Sequence, residues 1–455
     1  MLDWIKSHGI LLLLILVSAV FYLDFAYNLE RSDFIKLIGL YGVLFFLGHK
    51  IIQISKANFW FLAGLGIVFR LVSIVATPNL SQDFYRFLWD GRLLIQGVNP
   101  YLLTPEFYIQ SGQEIVSQAN ELYSGMGALN ASHFSNYPPI NQFFFAIAAV
   151  FSGKSILGSV IVLKVIMILA DVGILYFGKK LLEKLNMPVH GIFWYFLNPF
   201  IIIELTGNLH FEGVMLFFVV WSLYLLHQGK WLWAGILLAI SISVKLIPLL
   251  LLPLFLRFFF KKEASIAFSL TSLLKFYTII IATVVLTFLP FLSSEFASNF
   301  AATIGLWFQN FEFNASIYYI IRWIGYQTIG WNIIETVGKI LPLVVIGILL
   351  SFSFFRKNNT TQQLCVAMLF GISCYFLLST TVHPWYIATP LLLSVFTNYK
   401  FPIVWSLMVV VSYSAYGAEG FSEKLWLVAL EYIVVIGFFI WEFKFKKQPL
   451  NSNAT

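Results

Sequence analysis

Asp83, Arg86 and Asp90 stand at i, i+3 and i+7 in the stretch SQDFYRFLWDGR, residues 81–92. On a helix they share one face, and Arg86 is placed to pair with either carboxylate. Ordinary surface ion pairs have the same spacing and are worth little. Lys245 lies in the apolar run from Ala239 to Leu256, which only serines and prolines interrupt. An ionisable group inside a membrane costs about 2.5–3.5 kcal/mol on insertion scales. Lys245 therefore offers a fixed cation to a buried anion, snorkels to the outer headgroups, or meets a carboxylate. His210 and Glu212 are two residues apart at the end of an apolar segment, with Glu204 upstream. They lack the tight spacing of metal ligands, so a contact to a hydroxyl-bearing ligand or a plain interfacial pair accounts for them. His383, beside Trp385 and Tyr386, either touches a ligand or anchors the chain at the interface. Asp171, inside an apolar stretch, reads as structural, with Lys164 or a neighbouring helix as its partner.

These residues need a scaffold, and the composition says what kind. Hydrophobic residues make up 60% of the 455 and charged residues 11%, against about 25% charged in a soluble protein. Mean hydropathy is +0.85. Apolar stretches of about 20 residues, the length of a membrane-crossing helix, recur from end to end. The fold class is therefore all-α and polytopic, and the retained first span begins near Ile10. The net charge of +7 does not indicate nucleic acid, because the basic residues cluster at span ends, as the positive-inside rule describes. Those clusters are His49-Lys50 with Lys56, Lys179-Lys180 with Lys184, Lys230, Arg257 with Lys261-Lys262, Arg356-Lys357, Lys400, and Lys444 with Lys446-Lys447. Placing them all inside puts the loops 77–139 and 293–331 outside, together with Thr206–Glu212 and Thr380–Pro384. Closing that scheme makes Ile140–Phe151 a re-entrant or interfacial outer helix. It also makes Trp231–Phe260 two short helices meeting near Ser243–Pro248. The count is then about 14 passes with both termini inside. Cys365 and Cys374 would be about 13 Å apart on a straight helix, beyond disulfide reach. No repeats or soluble domains appear. The chain divides into an N-terminal module, 1–262, holding loop 77–139, and a C-terminal module, 263–455, holding loop 293–331.

The run DFYRFLWDGRLLIQGVNPY, Asp83 to Tyr101, resembles the first outer loop of GT-C superfamily glycosyltransferases, nearest to bacterial mannosyltransferase-like members. Further resemblances follow in order. Asn136-Tyr137-Pro138-Pro139 is similar to the family's entry to a short helix. Gly207-Asn208-Leu209-His210-Phe211-Glu212-Gly213 is similar to its second acidic motif, with Glu where many members have Asp. Lys245-Leu246-Ile247-Pro248 is similar to its lipid-phosphate segment, and His383-Pro384-Trp385-Tyr386 to a late outer-face motif. The resemblance implies transfer of a hexose, with mannose as the leading candidate, from a polyprenyl-phosphate donor to an acceptor hydroxyl of a glycan, lipid or protein. It implies a bacterial inner membrane with the active site on the outer face. It makes Asp83 the catalytic base, because an alcohol attacks well only as its proton leaves. Arg86, Asp90, Tyr137, His210, Glu212, Lys245 and His383 then bind substrate, with Lys245 at the phosphate. No cofactor is expected, and divalent cations are left open.

Loop 293–331 carries Trp307, Gln309, Asn310, Glu312, Asn314, Tyr318, Tyr319, Arg322 and Trp323. Such groups suit a sugar ring or, equally, an amphipathic helix lying on the membrane. The rival to an enzyme is a transporter or flippase, which inverted repeats and facing mid-membrane charges would signal. Neither is present in the sequence. A polysaccharide polymerase or ligase sharing the long outer loop is a weaker rival. Nucleotide-sugar donors are disfavoured because the sequence has no Rossmann motif.

Overall fold

In a computed structural model the chain is described for residues 2–445, except 114, 261–264 and 310. Lys261, Lys262, Asn310, Lys446, Lys447 and the tail that follows lie outside the described residues. Among the described residues the regular elements are helices apart from a small hairpin, β1 (Tyr416–Gly417) with β2 (Gly420–Phe421), and an isolated bridge between Phe313 and Thr381.

A helical hairpin opens the chain, α1 (Leu2–Asn28) against α2 (Phe34–Ser55), with the Asp33 carboxylate capping α2 by accepting from the Lys36 amide. One side of α1 leaves Ile10, Leu13, Leu16, Val20 and Leu23 exposed. Spacings of three and four on a stretch without charged residues from Gly9 to Leu23 make that its lipid face. A short apolar helix, α3 (Phe59–Val72), delivers the chain to an excursion of four helices: α4 (Asp83–Ile95), α5 (Pro105–Gln110), α6 (Ala119–Ala131) and α7 (Pro139–Ser152). The 29-residue α8 (Ile156–Lys184) follows. Next comes a span broken by 48° between its two halves, Val189–Phe196 and Pro199–Gly207, which contain α9 (Phe193–Phe196) and α10 (Pro199–Ile201). It ends in a π-helical turn, Ile202–Gly207. Then follow α11 (Glu212–His227) and α12 (Trp231–Val244), a 3-10 stretch Ile247–Phe255, and α13 (Leu256–Phe259).

The second half runs through α14 (Ile266–Phe288), α15 (Ser294–Gln309), α16 (Ile317–Thr328), α17 (Ile334–Phe355) and α18 (Thr361–Leu378). It continues with α19 (Ala388–Val395), α20 (Phe401–Met408), the hairpin, and α21 (Leu425–Phe445). Most buried apolar residues from Tyr22 to Val435 form one connected cluster, and Ala315, Tyr318, Val337 and Leu341 form a second, small one.

Among the described residues seven helices are long and apolar enough to cross a membrane, or eight with the bent pair counted as one span. The protein is thus all-α and polytopic. Long unbroken spans fall short of 14, because prolines and polar turns cut the remaining apolar sequence into helices of 10–17 residues. The expected break in 231–260 is present. α12 ends at Val244, Lys245 is extended (φ −146°, ψ 139°), and Pro248 and Pro253 hold the chain in 3-10 form, where a proline cannot continue an α-helix ladder. The expected short helix at Ile140–Phe151 is also present, as α7, packed on α4 and α8. Its contact with α4 is so close that a Cβ on Gly91 would lie 2.3 Å from the Phe145 carbonyl oxygen.

One expected pairing is not found. Asp171 does not meet Lys164. It accepts from Arg70 Nε at 2.8 Å, while Lys164 Nζ donates to the Ser73 and Ala76 carbonyls at 2.6 and 2.8 Å. Seven residues along a helix is about 10.5 Å of axial rise, so each charge found a partner near α3 instead.

Candidate active site

Asp83 is the first residue of α4 and Glu212 the first of α11, positions where the helix dipole favours a carboxylate. What brings the two helix starts together is Asn208. Its Oδ1 accepts from the backbone amides of Asn79 and Leu80 at 3.0 and 2.8 Å. Asn79 in turn donates from Nδ2 to Phe25 and Leu29 at the end of α1. The turn holding Asn208 also holds Leu209 in the left-handed region, φ +62°. For a branched side chain that backbone is strained, and such strain persists only where surroundings enforce it.

Glu212 is fully buried and accepts from Lys245 Nζ at 2.5 Å, while its Oε2 has no partner. Lys245 reaches it from the helix break, with its Nζ 5.9 Å from the Tyr386 ring. Three rings are stacked alongside. His210 lies 3.6 Å from Trp385, and Trp385 lies 4.6 Å from His383, the latter pair within 3° of parallel. His210 Nε2 and His383 Nδ1 are both buried without hydrogen-bond partners. Burial, with Lys245 adding to it, pushes His383 down to about 3 and His210 well below its ordinary value. Both imidazoles are therefore neutral at physiological pH. Behind His210, Glu204 in the π-helical turn accepts twice from the Tyr413 hydroxyl at 2.9 and 3.0 Å.

Asp83 is half-buried, and no donor reaches its carboxylate among the described residues; only its backbone amide is engaged, by Ser81 Oγ. Burial raises it to about 6, with Glu212 adding to the rise and Lys245 and Arg31 opposing it. Tyr137 sits between the two ends of α4, within the electrostatic reach of Asp83, Arg86, Asp90 and Tyr386.

Arg86 chooses Asp90, not Asp83: Nε to Oδ1 is 2.8 Å, with both groups buried. Arg86 Nη1 also donates to the Asn130 and His133 carbonyls. Asp90 Oδ2 accepts from Ser135 Oγ at 2.5 Å and Gln142 Nε2 at 2.9 Å. This pair ties α4, α6 and α7 together one to two turns from Asp83. The structure thus gathers Asp83, Tyr137, His210, Glu212, Lys245 and His383 into one cluster and sets Arg86 and Asp90 behind it. Glu204, expected near His210, belongs to the same neighbourhood, as do Arg31 and Tyr413, which carry no sequence signal, being single residues in unrelated segments. Among the described residues no group of three His, Cys, Asp or Glu side chains could hold a metal ion.

The C-terminal outer loop turns its polar groups inward on one another. Glu312 accepts from Asn332 at 2.6 Å and pairs with Arg322 and Tyr318, and Glu423 accepts from the Asn314 amide at 2.6 Å and from Tyr319. Ile320, Trp323 and Ile324 of α16 are left exposed, the face of an interfacial helix. The same loop reaches the site through Phe313, whose backbone bridges Thr380 and Val382 and whose ring lies 5.3 Å from His383.

The family model described as alpha-(1→6)-mannopyranosyltransferase, N-terminal domain, matches residues 45–261. Alpha-(1→6)-mannopyranosyltransferase A of Mycobacterium tuberculosis is 21% identical over 408 residues, 85% of this chain and 75% of the relative. This chain is thus similar to membrane mannosyltransferases of the GT-C type. Alpha-(1→6)-mannopyranosyltransferase B of Corynebacterium glutamicum is 26% identical over 157 residues, 34% of this chain and 25% of that one. The region that the family model matches holds every clustered residue named above except Arg31, Tyr413 and the His383–Tyr386 segment.

Proposed function

We propose that the enzyme transfers a hexose, mannose first, from a polyprenyl-phosphate donor to a hydroxyl of a glycan, lipid or protein acceptor on the outer face of a bacterial inner membrane. The support is one juxtaposition: an unpartnered carboxylate, Asp83, beside the Lys245–Glu212 pair and two neutral imidazoles. Asp83, ionised, takes the proton of the acceptor hydroxyl as its oxygen bonds to the anomeric carbon. The bond from that carbon to the phosphate oxygen breaks and leaves its electron pair on the phosphate, which needs no protonation to depart. Lys245 holds that phosphate, and Tyr137, His210 and His383 face the sugar as neutral hydrogen-bonding groups, while Arg86 and Asp90 shape the same pocket from behind. A single in-line displacement inverts the anomeric centre, so an α-linked product, as in the names of both relatives, requires a β-linked donor.

Residues 1–262 form the catalytic module in this reading, and 263–455 supply further donor-lipid and acceptor contacts. The seven long spans, the bent pair and six of the shorter helices, all but α7, complete about 14 passes, with every basic cluster inside. Single cysteines at positions 120 and 184, on a background lacking Cys365 and Cys374, should label from opposite sides with an impermeant maleimide. Labelling from one side would make α7 a span and undo the scheme. The activity itself is tested by offering the purified enzyme radiolabelled β-mannosyl polyprenyl phosphate in detergent, where no gradient exists. Transfer to an oligomannoside or lipid acceptor is expected. No transfer from any polyprenyl-phosphate hexose would overturn the proposal.

A further inference from the structure

Among the described residues Arg31, like Arg92, has no carboxylate partner, whereas the other buried and half-buried arginines of the outer half do. Arg70 is matched by Asp171, Arg86 by Asp90 and Arg322 by Glu312, and Arg92 donates to the Ser117 and Lys154 carbonyls and to Gln118. Among the described residues no carboxylate lies at ion-pair distance from Arg31. It sits half-buried in the turn between α1 and α2. Its Nη1 donates to the Leu80 carbonyl at 3.2 Å, and its Cζ stands 4.1 Å over the Tyr416 ring. These two contacts hold the guanidinium at the entrance of α4, three residues ahead of Asp83. Arg31 and Lys245 are the two cations whose fields reach that carboxylate. Only Lys245 already has an anionic partner, Glu212.

We propose that Arg31 is the second cation of the phosphate site, meeting the lipid phosphate as it becomes the leaving group. This rests on the transfer reading above. A glycosyl polyprenyl phosphate is a phosphodiester with one negative charge. When its bond to the anomeric carbon breaks, the electron pair stays on phosphorus-bound oxygen and the acceptor proton goes to Asp83. The phosphate becomes a monoester that carries up to two negative charges. The second charge exists only along the reaction path, and a group that meets it raises turnover instead of uniform binding. Arg31 stacks on a ring and spends Nη1 on the Leu80 carbonyl, and the fork formed by Nε and Nη2 suits two phosphate oxygens. Lys245, shared with Glu212, suits the single charge of the arriving donor.

The test uses the full chain in detergent and three readings: donor KM, kcat, and the inhibition constant of a synthetic polyprenyl monophosphate. Arg31→Gln is expected to lower kcat about 10²-fold, as removal of a donor to a developing charge does, with donor KM changed less than about threefold. The inhibition constant of the monoester should rise about tenfold or more. Arg31→Lys should recover part of kcat and still bind the monoester more weakly than wild type, a result that also serves if the Gln variant does not fold. Tyr416→Phe, which keeps the ring, should resemble wild type. Unchanged kcat and unchanged monoester inhibition in the Arg31 variants would overturn the proposal, as would equal losses of donor and monoester affinity with kcat intact. A wild-type enzyme that transfers no hexose from a polyprenyl phosphate would instead sink the transfer reading itself.

Discussion

At its first turn α4 leaves Asp83 with no hydrogen bond to its carboxylate. Two turns later it surrounds Asp90 with Arg86, Ser135 and Gln142. The two aspartates share a helix, a face and a motif, and in sequence they are hard to tell apart. Their surroundings differ in what is satisfied. A buried polar group without partners is costly, so a fold retains one where something else will occupy the gap. Asp90, with three of its about four acceptor sites engaged, has little left to offer a substrate. The same contrast separates the two outer loops. Beside Asp83 in the first, atoms of His210, Glu212 and His383 stay unpartnered among the described residues, whereas the second closes Glu312 on Arg322 and Glu423 on Tyr319 and leaves only Asn314 Oδ1 unpartnered among its described buried side-chain atoms.

The sharpest way to break this contrast is to neutralise each aspartate in turn. Asp83→Asn is expected to fold and bind donor while turnover falls about 10²–10⁴-fold, the size of a general-base contribution. Near wild-type turnover would pass the base role to Glu212 or Asp90. At the other end of the helix the loss should appear in stability. Arg86→Met leaves Asp90 buried without its cation, which costs about 3–5 kcal/mol. The monodisperse fraction surviving heating in detergent should drop accordingly, and a fully heat-resistant variant would mean the network is dispensable. Asp90→Asn, which keeps an acceptor for Ser135 and Gln142, should be milder.

A smaller effect should be visible in pH dependence. Asp83 must be ionised to accept a proton, and burial holds it at about 6. The ratio kcat/KM should therefore rise with pH through an apparent value near 6 and level off above it. Lys245 lowers that value, so Lys245→Met should move the limb upward and raise donor KM more than it lowers kcat at saturation. A limb that stays in place, with KM unchanged, would remove Lys245 from the site.

Much of this was legible in the sequence because the signals were local. Lys245 beside Pro248 announces a broken helix, the length of Ile140–Phe151 forbids an easy span, and the run from Asp83 to Tyr101 carries its motif in one piece. What was hidden depends on pairings between distant segments. Asp171 finds Arg70 across 101 positions, and Glu204 finds Tyr413 across 209. One sequence read alone has no term for such pairs. The aromatic and amide residues of loop 293–331 were ambiguous for a related reason. Whether they face a ligand or each other is set by Glu423 and Glu431, more than 100 residues away.

The close approach of α4 to α7 at Gly91 has a mechanical meaning. With Asp90 clamped and Gly91 pressed against the Phe145 carbonyl, the helix is a beam anchored at its root. Its other end, tied through Leu80 to Asn208, carries Asp83 about 12 Å away at 1.5 Å per residue. Any side chain at Gly91 would wedge the root and swing the tip, converting a small displacement far from the chemistry into a misplaced carboxylate. Tolerance in this enzyme is therefore limited at the root of the beam as well as around its tip, where the reacting groups stand.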